Sequence, residues 1–171
     1  MTAPTLRTAR LILSGHRPDD LDALTAIWSD PLVYAHIGGR ARDREEVWLR
    51  LLRHIGQWTA FGHGMWVLRE AETGQIVGEA GLMTSRRTVE PPLPDLPEAG
   101  WTLASYAHGR GLAREAMEAV LDWAGHAGVA RTGCIIDPDN AASIRLAERL
   151  GYRAAGEARY GGRPILTFVR G

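Results

Sequence analysis

Lysine is missing from this chain: all 20 of its Lys-plus-Arg residues are arginine, in a sequence of 171. That excludes a lysine nucleophile and the lysine of a Walker-type phosphate loop. Cysteine is nearly missing too. Cys134 stands alone, which excludes an intramolecular disulfide and a multi-cysteine zinc site and makes a cytoplasmic location the expectation. Charge of one sign is not in excess, since 20 basic residues face 20 acidic ones. A sequence-independent nucleic-acid binder normally carries a basic surplus, so no nucleic-acid partner is expected. No apolar run approaches the roughly 20 residues of a membrane span, and Met1 to Arg10 lacks the apolar core of a signal peptide. The six histidines fall into no metal-ligand spacing, and no metal is expected.

What is present is ordinary for a globular protein: 45% apolar and 23% charged residues. The length fits one domain, residues 1–171, with a core that needs no staple. Leu6 to Leu13 alternates as a first strand. A helix with Leu21, Leu24, Ile27 and Trp28 on one face ends at Asp30-Pro31. Asp43-x-x-Glu46 reads as a capping box for a second helix carrying Val47, Leu51, Ile55 and Trp58 inward. A hairpin follows, Met65 to Arg69 and Gln75 to Met83. Thr84 to Pro97 holds Pro91, Pro92, Pro94 and Pro97 and reads as a long loop. Glu98 to Ala104 is a strand, Leu112 to Ala127 an amphipathic helix, Arg131 to Ile136 a strand, and Asn140 to Leu150 a short helix before Gly151. Two closing strands flank Gly161-Gly162. This order predicts an α/β (α+β) fold: a mixed, mostly antiparallel sheet covered by helices.

His108-Gly109-Arg110-Gly111-Leu112-Ala113 joins a strand to the longest amphipathic pattern. Glycines at a helix entry leave backbone N–H groups bare, and the helix dipole favours an anion there. A dinucleotide fingerprint would need a third glycine where Arg114 stands. The residues alone therefore allow either an anion site or a plain strand-to-helix turn.

Further segments sharpen this. His108-x-x-Gly111-x-Ala113 resembles the Q/R-x-x-G-x-G/A loop of the GNAT acetyltransferases. Asn140-x-x-Ser143 with Arg149-Leu150-Gly151-Tyr152 resembles their N-x-x-S … K-L-G-F signature. Leu6-Arg7-Thr8-Ala9-Arg10-Leu11-Ile12-Leu13, Asp30-Pro31-Leu32-Val33, Val77-Gly78-Glu79-Ala80-Gly81-Leu82 and Glu98-Ala99-Gly100-Trp101-Thr102-Leu103 are similar to motifs of the RimJ/RimL-like branch, in that branch's order. His108 departs from the usual Gln or Arg, and Ala9 and Ser14 replace a Glu and an Arg.

The resemblance implies a GNAT fold of about seven strands and about four helices, splayed at an acetyl-CoA site. It implies acetyl transfer from acetyl-CoA to an amine, either a protein N-terminus or a small molecule, with no covalent enzyme intermediate, and it is compatible with a homodimer. Acetyl-CoA would be held by Trp101, Leu103, Ala104, His108, Gly109, Arg110, Gly111, Leu112, Ala113, Asn140 and Ser143. Glu98 is the candidate base and Glu79 the weaker one. Ser143 is the candidate acid, with Tyr152 as its alternative, and Asn140 a cap or ligand. Trp28, Tyr34, Trp58 and Trp101 are candidates to line the acceptor cleft, and Cys134 is expected to be inert core. The competing readings are a non-catalytic acyl-CoA-binding module and a nucleotide-binding protein of another class.

Overall fold

The computed structural model describes residues 2–171. Nine strands form one sheet in the order β1-β2-β3-β4-β6-β7-β9-β8-β5. They are β1 Leu6–Arg7, β2 Leu11–Ser14, β3 Met65–Glu70, β4 Ile76–Met83, β5 Val89–Glu90, β6 Glu98–Leu103, β7 Thr132–Ile136, β8 Arg153–Tyr160 and β9 Arg163–Arg170. The five helices are α1 Leu21–Trp28, α2 Pro31–Tyr34, α3 Arg44–Phe61, α4 Leu112–His126 and α5 Ala141–Arg149. All neighbours pair antiparallel except β6 and β7, which are parallel and share one register pair, Glu98 with Gly133.

Local chemistry sets the element ends. The Asp43 carboxylate accepts from the Glu46 N–H, and the Glu46 side chain accepts from the Asp43 N–H, so α3 starts with a reciprocal capping box. It stops at Gly62, whose φ of +71° an L side chain would resist. On α4, Leu112, Ala116, Met117, Val120, Leu121 and Ala124 are buried against the sheet. Each large apolar side chain there contributes about 1.5–3 kcal/mol.

Strand alternation then assigns the two faces of the sheet. Ala99, Leu103, Cys134 and Ile136 join α4 in the main core. On the other face α1 and α3 cover Val67 and Ile76, and a small apolar cluster of Val89, Ala158 and Ile165 forms with Leu93 and Ile135.

The class matches the expectation, and the count is larger. Two strands of two residues, β1 and β5, are too short for any periodic signal. The turn around Thr8 divides the expected first strand, and β5 pairs with β8 inside the proline-rich segment. Asp30 caps the extra helix α2 through the Leu32 N–H. Ile55, read as inward, is 38% exposed. Trp28 and Trp58 are buried core residues rather than cleft residues. Trp58 makes edge contacts with Trp66 and Trp123 and donates to the Met65 carbonyl at 3.0 Å.

Candidate active site

The split between β6 and β7 organises the site. Their ladder ends after Glu98–Gly133, and the Gly133 N–H reaches the Pro97 carbonyl at 3.0 Å. Beyond that point the strands separate. On β6 the backbone groups of alternate residues point toward β4, as the Ala104 N–H does to Val77 at 2.9 Å. Those of Trp101 and Leu103 point into the split. Leu103 thus offers an N–H to a bound chain, whereas the Ala104 amide is already used. The Leu103 carbonyl is taken by His108, whose Nε2 lies 2.9 Å away. His108 braces the loop with its side chain, which is what stands in place of a Gln or Arg.

The loop at the mouth of the split is shaped for an anion. Gly109 and Gly111 have φ of +73° and +76°. The N–H groups of Gly109, Arg110, Gly111, Leu112, Ala113 and Arg114 find no acceptor among the described residues. Those of Leu112, Ala113 and Arg114 open the positive end of the α4 dipole. Arg110 turns its side chain away to Glu70, 2.7 Å distant, so it offers backbone rather than charge.

The loop is clamped from behind by residues the sequence reading did not single out. Arg10 donates to the Arg110 carbonyl at 2.8 Å and to Glu115 at 2.7 Å, and the Thr8 hydroxyl donates to Glu115 at 2.6 Å. Asp30 accepts from Ser105, and that bond holds its carboxyl below the ordinary range. The T-x-R spacing of the opening motif was the available signal.

Across the split, Asn140 caps α5 by accepting from the Ser143 N–H at 3.0 Å. Its side-chain oxygen is occupied, and its amide NH₂ has no acceptor among the described residues. The Ser143 hydroxyl accepts from the Trp101 indole at 3.2 Å and so keeps its own proton to donate. Trp101 thereby reaches from β6 to the first turn of α5. Tyr152 lies elsewhere: it is buried, bonded to Thr132 at 2.7 Å, and burial pushes its phenol up to about 12. Cys134 is buried, and its thiol is likewise raised to about 12.

Glu98 and Glu79 share the face opposite Trp101, four residues apart along the ladder because Glu79 pairs with Thr102. At about 3.3 Å per residue they stand about 13 Å apart. Arg87 donates to both Glu98 oxygens at 2.8 and 2.9 Å, and Ser85 donates to one of them. Glu98 also lines a cavity of about 200 Å³, floored by Gly133, Ile135 and Thr167 and roofed by the proline-rich segment with Leu93 and Leu96.

Glu79 is 1% exposed. It accepts from Trp28 at 2.7 Å and contacts His16 at 2.6 Å, with Arg50 at 3.6 Å and His54 at 3.7 Å. Burial alone would raise its pKa, but the His16 bond and the Arg50 charge outweigh that and hold it far below the ordinary carboxylate range. The ligand atoms of His16, His54 and Glu79 lie within 4.8 Å of one another, a grouping from three distant segments that no local spacing announces. The Arg50 cation beside the carboxylate opposes a metal ion there.

Residues 10–153 match the family model described as acetyltransferase (GNAT) domain. The chain belongs to the GNAT acetyltransferases. It is 34% identical to a GnaT-family acetyltransferase structure from Bordetella pertussis, with a TM-score of 0.87 over 99% of this chain and 100% of that one. It is 29% identical to an acetyltransferase from Agrobacterium tumefaciens, with a TM-score of 0.85 over 100% and 96%. RimL, the ribosomal L7/L12 alpha-N-protein acetyltransferase solved with coenzyme A, shares the fold at 15% identity, with a TM-score of 0.78 over 98% and 97%. Acyl transfer from acetyl-CoA is the chemistry of this family, and among the described residues no helix is long and apolar enough to cross a membrane.

Proposed function

We propose that this acetyltransferase, acting as one domain over residues 1–171, passes the acetyl group of acetyl-CoA directly to a primary amine, either a small molecule or a protein N-terminus. The observation that carries this reading is the placement of Glu98 and Ser143 on opposite faces of β6, with the β6–β7 split between them. An amine arriving on the Glu98 face and a thioester entering along the split meet without a covalent enzyme intermediate.

The N–H groups from Gly109 to Arg114 hold the donor's pyrophosphate, and the open Leu103 N–H aligns its pantetheine arm. The donor supplies an acetyl thioester. Glu98 takes the proton of the ammonium group, directly or through one water, so that nitrogen bonds to the acetyl carbon as the carbon–sulfur bond breaks. The Ser143 hydroxyl, oriented by Trp101, gives its proton to the departing sulfur, and the second proton that the nitrogen loses on becoming an amide passes through solvent to restore the Ser143 hydroxyl.

The test is free-thiol release from acetyl-CoA against a panel of amines and N-terminal peptides, run with wild type and with Ser143→Ala. Amine-dependent release is expected, slowed in the variant and less so at high pH, where the thiolate leaves unaided. Thermal stabilisation by CoA without thiol release for any amine would instead identify a non-catalytic acyl-CoA-binding module. The Arg87 fork closed over Glu98 is the one observation that favours that second reading.

A further inference from the structure

A base must have a free lone pair, and Glu98 has little to spare. Its two oxygens accept the Arg87 fork, and Ser85 fills a further position. The pair is not sealed in protein, because both residues line the cavity of about 200 Å³. That volume is below the roughly 300–1,000 Å³ of drug-sized sites and fits a small head group.

The charges in and around the cavity narrow the choice of occupant. Arg87 also stands over the Tyr160 ring at 4.9 Å. Arg53 of α3 lies within electrostatic reach of Arg87 and Glu98 and has no carboxylate partner among the described residues. A simple amine arriving as a cation could pair with Glu98 only by leaving the half-buried Arg87 unpaired beside it, an arrangement that is strongly unfavourable. A zwitterion avoids this. Its carboxylate takes the Arg87 fork while its ammonium takes the place of Arg87 on Glu98, and one ion pair becomes two. Leu93, Leu96, Ile135 and Val169 supply an apolar wall for a side chain.

We infer that the acceptor is a free, apolar α-amino acid, whose carboxylate draws Arg87 off Glu98 and so exposes the base only when a substrate is bound. The inference rests on the reading of Glu98 as the base. It separates the small-molecule acceptor from the protein N-terminus, which carries an amide where the amino acid carries its carboxylate.

The test is calorimetric titration of the full chain, without CoA, by L-leucine and separately by L-leucinamide. Wild type is expected to bind leucine about tenfold or more tightly than the amide. Arg87→Gln should bring that ratio to near one. Arg87→Lys, which keeps a cation for Glu98 and loses the fork, should give an intermediate ratio and serves if the glutamine variant does not fold. Equal binding of both probes by wild type, binding of neither at millimolar concentration, or a preference that survives in both variants would overturn the inference. Because donor and chemistry are absent from the titration, a failure of acetyl transfer itself shows separately, in thiol release and in thermal stabilisation by CoA.

Discussion

Glu79 and Glu98 are two carboxylates on one face of one sheet, and their surroundings differ in kind. Glu79 is enclosed by α1, α3 and the segment after β2, with Trp28, His16, His54 and Arg50 around it. Glu98 has its main partner, Arg87, on an irregular segment, and a cavity beside it. Burial with fixed partners on regular elements makes a carboxylate part of the scaffold. Burial beside a cavity, with a partner that another anion can take, makes it available for chemistry. The Glu79 cluster ties both covering helices to β4, the neighbour of β6, and so supports the strand that carries Glu98.

Exchanging the carboxylates one at a time sharpens this contrast most. Glu98→Gln should lower kcat by about 10²- to 10⁴-fold at neutral pH, the range a positioned base contributes. The loss should shrink at high pH, where more of the amine is already neutral. Thiol-release rates across pH measure it, and wild-type kinetics would remove Glu98 from the reaction. Glu79→Gln should act on the fold instead. It leaves the buried side of Arg50 without its counter-charge, a loss of roughly 3–5 kcal/mol for a broken buried pair. Urea unfolding reads this directly, and unchanged stability with lost turnover would move Glu79 from scaffold to catalysis.

The two regions were also unequally legible in the sequence. The glycine turn before α4, the Asp43 box and the Asn140 cap are local patterns, set by residues within three or four positions, and the turn and both caps stand where the spacing placed them. Glu98 is visible as a strand-leading carboxylate that opens a family motif. Its Arg87 partner lay in a segment whose prolines read as structureless. The strand β5 that holds this segment to β8 has two residues, and two residues carry no period. His16, His54 and Glu79 are brought together only by tertiary packing, as are Trp101 and Ser143, 42 positions apart.

Acid should test the scaffold half before the active half. Burial, with the Arg50 charge adding to it, holds His54 well below 6.5, so it stays neutral in the folded protein. In the unfolded chain the same imidazole gains a proton near 6.5. The unfolded state therefore binds more protons as pH falls, and stability declines from about 6.5 downward. Glu79 has the same sign. Its folded pKa is depressed, so its contribution is full above about 4.5 and is lost as pH falls below that value. Urea midpoints between pH 8 and pH 4 should show the first decline in wild type and a flatter upper part in His54→Gln. An identical slope in both would mean that His54 does not carry it.

The smallest expected effect concerns the rear clamp of the glycine loop before α4, where the contrast between scaffold and function is least sharp. Arg10 is half exposed, and an exposed ion pair is worth only about 0–1 kcal/mol. Its removal should leave folding stability nearly unchanged. Arg10 nevertheless fixes the Arg110 carbonyl and, through Glu115, the first turn of α4, so its loss lets the loop amides spread. Amides that spread bind the donor more weakly in the ground state and in the transition state alike, which raises KM for acetyl-CoA and spares kcat. Arg10→Ala should therefore show a severalfold rise in that KM with little change in kcat, and Glu115→Gln a smaller rise, since the Thr8 and Arg10 bonds to it persist in weakened form. A fall in kcat at unchanged KM would place the clamp's influence at the split, where Trp101 and Ser143 meet, rather than at the loop.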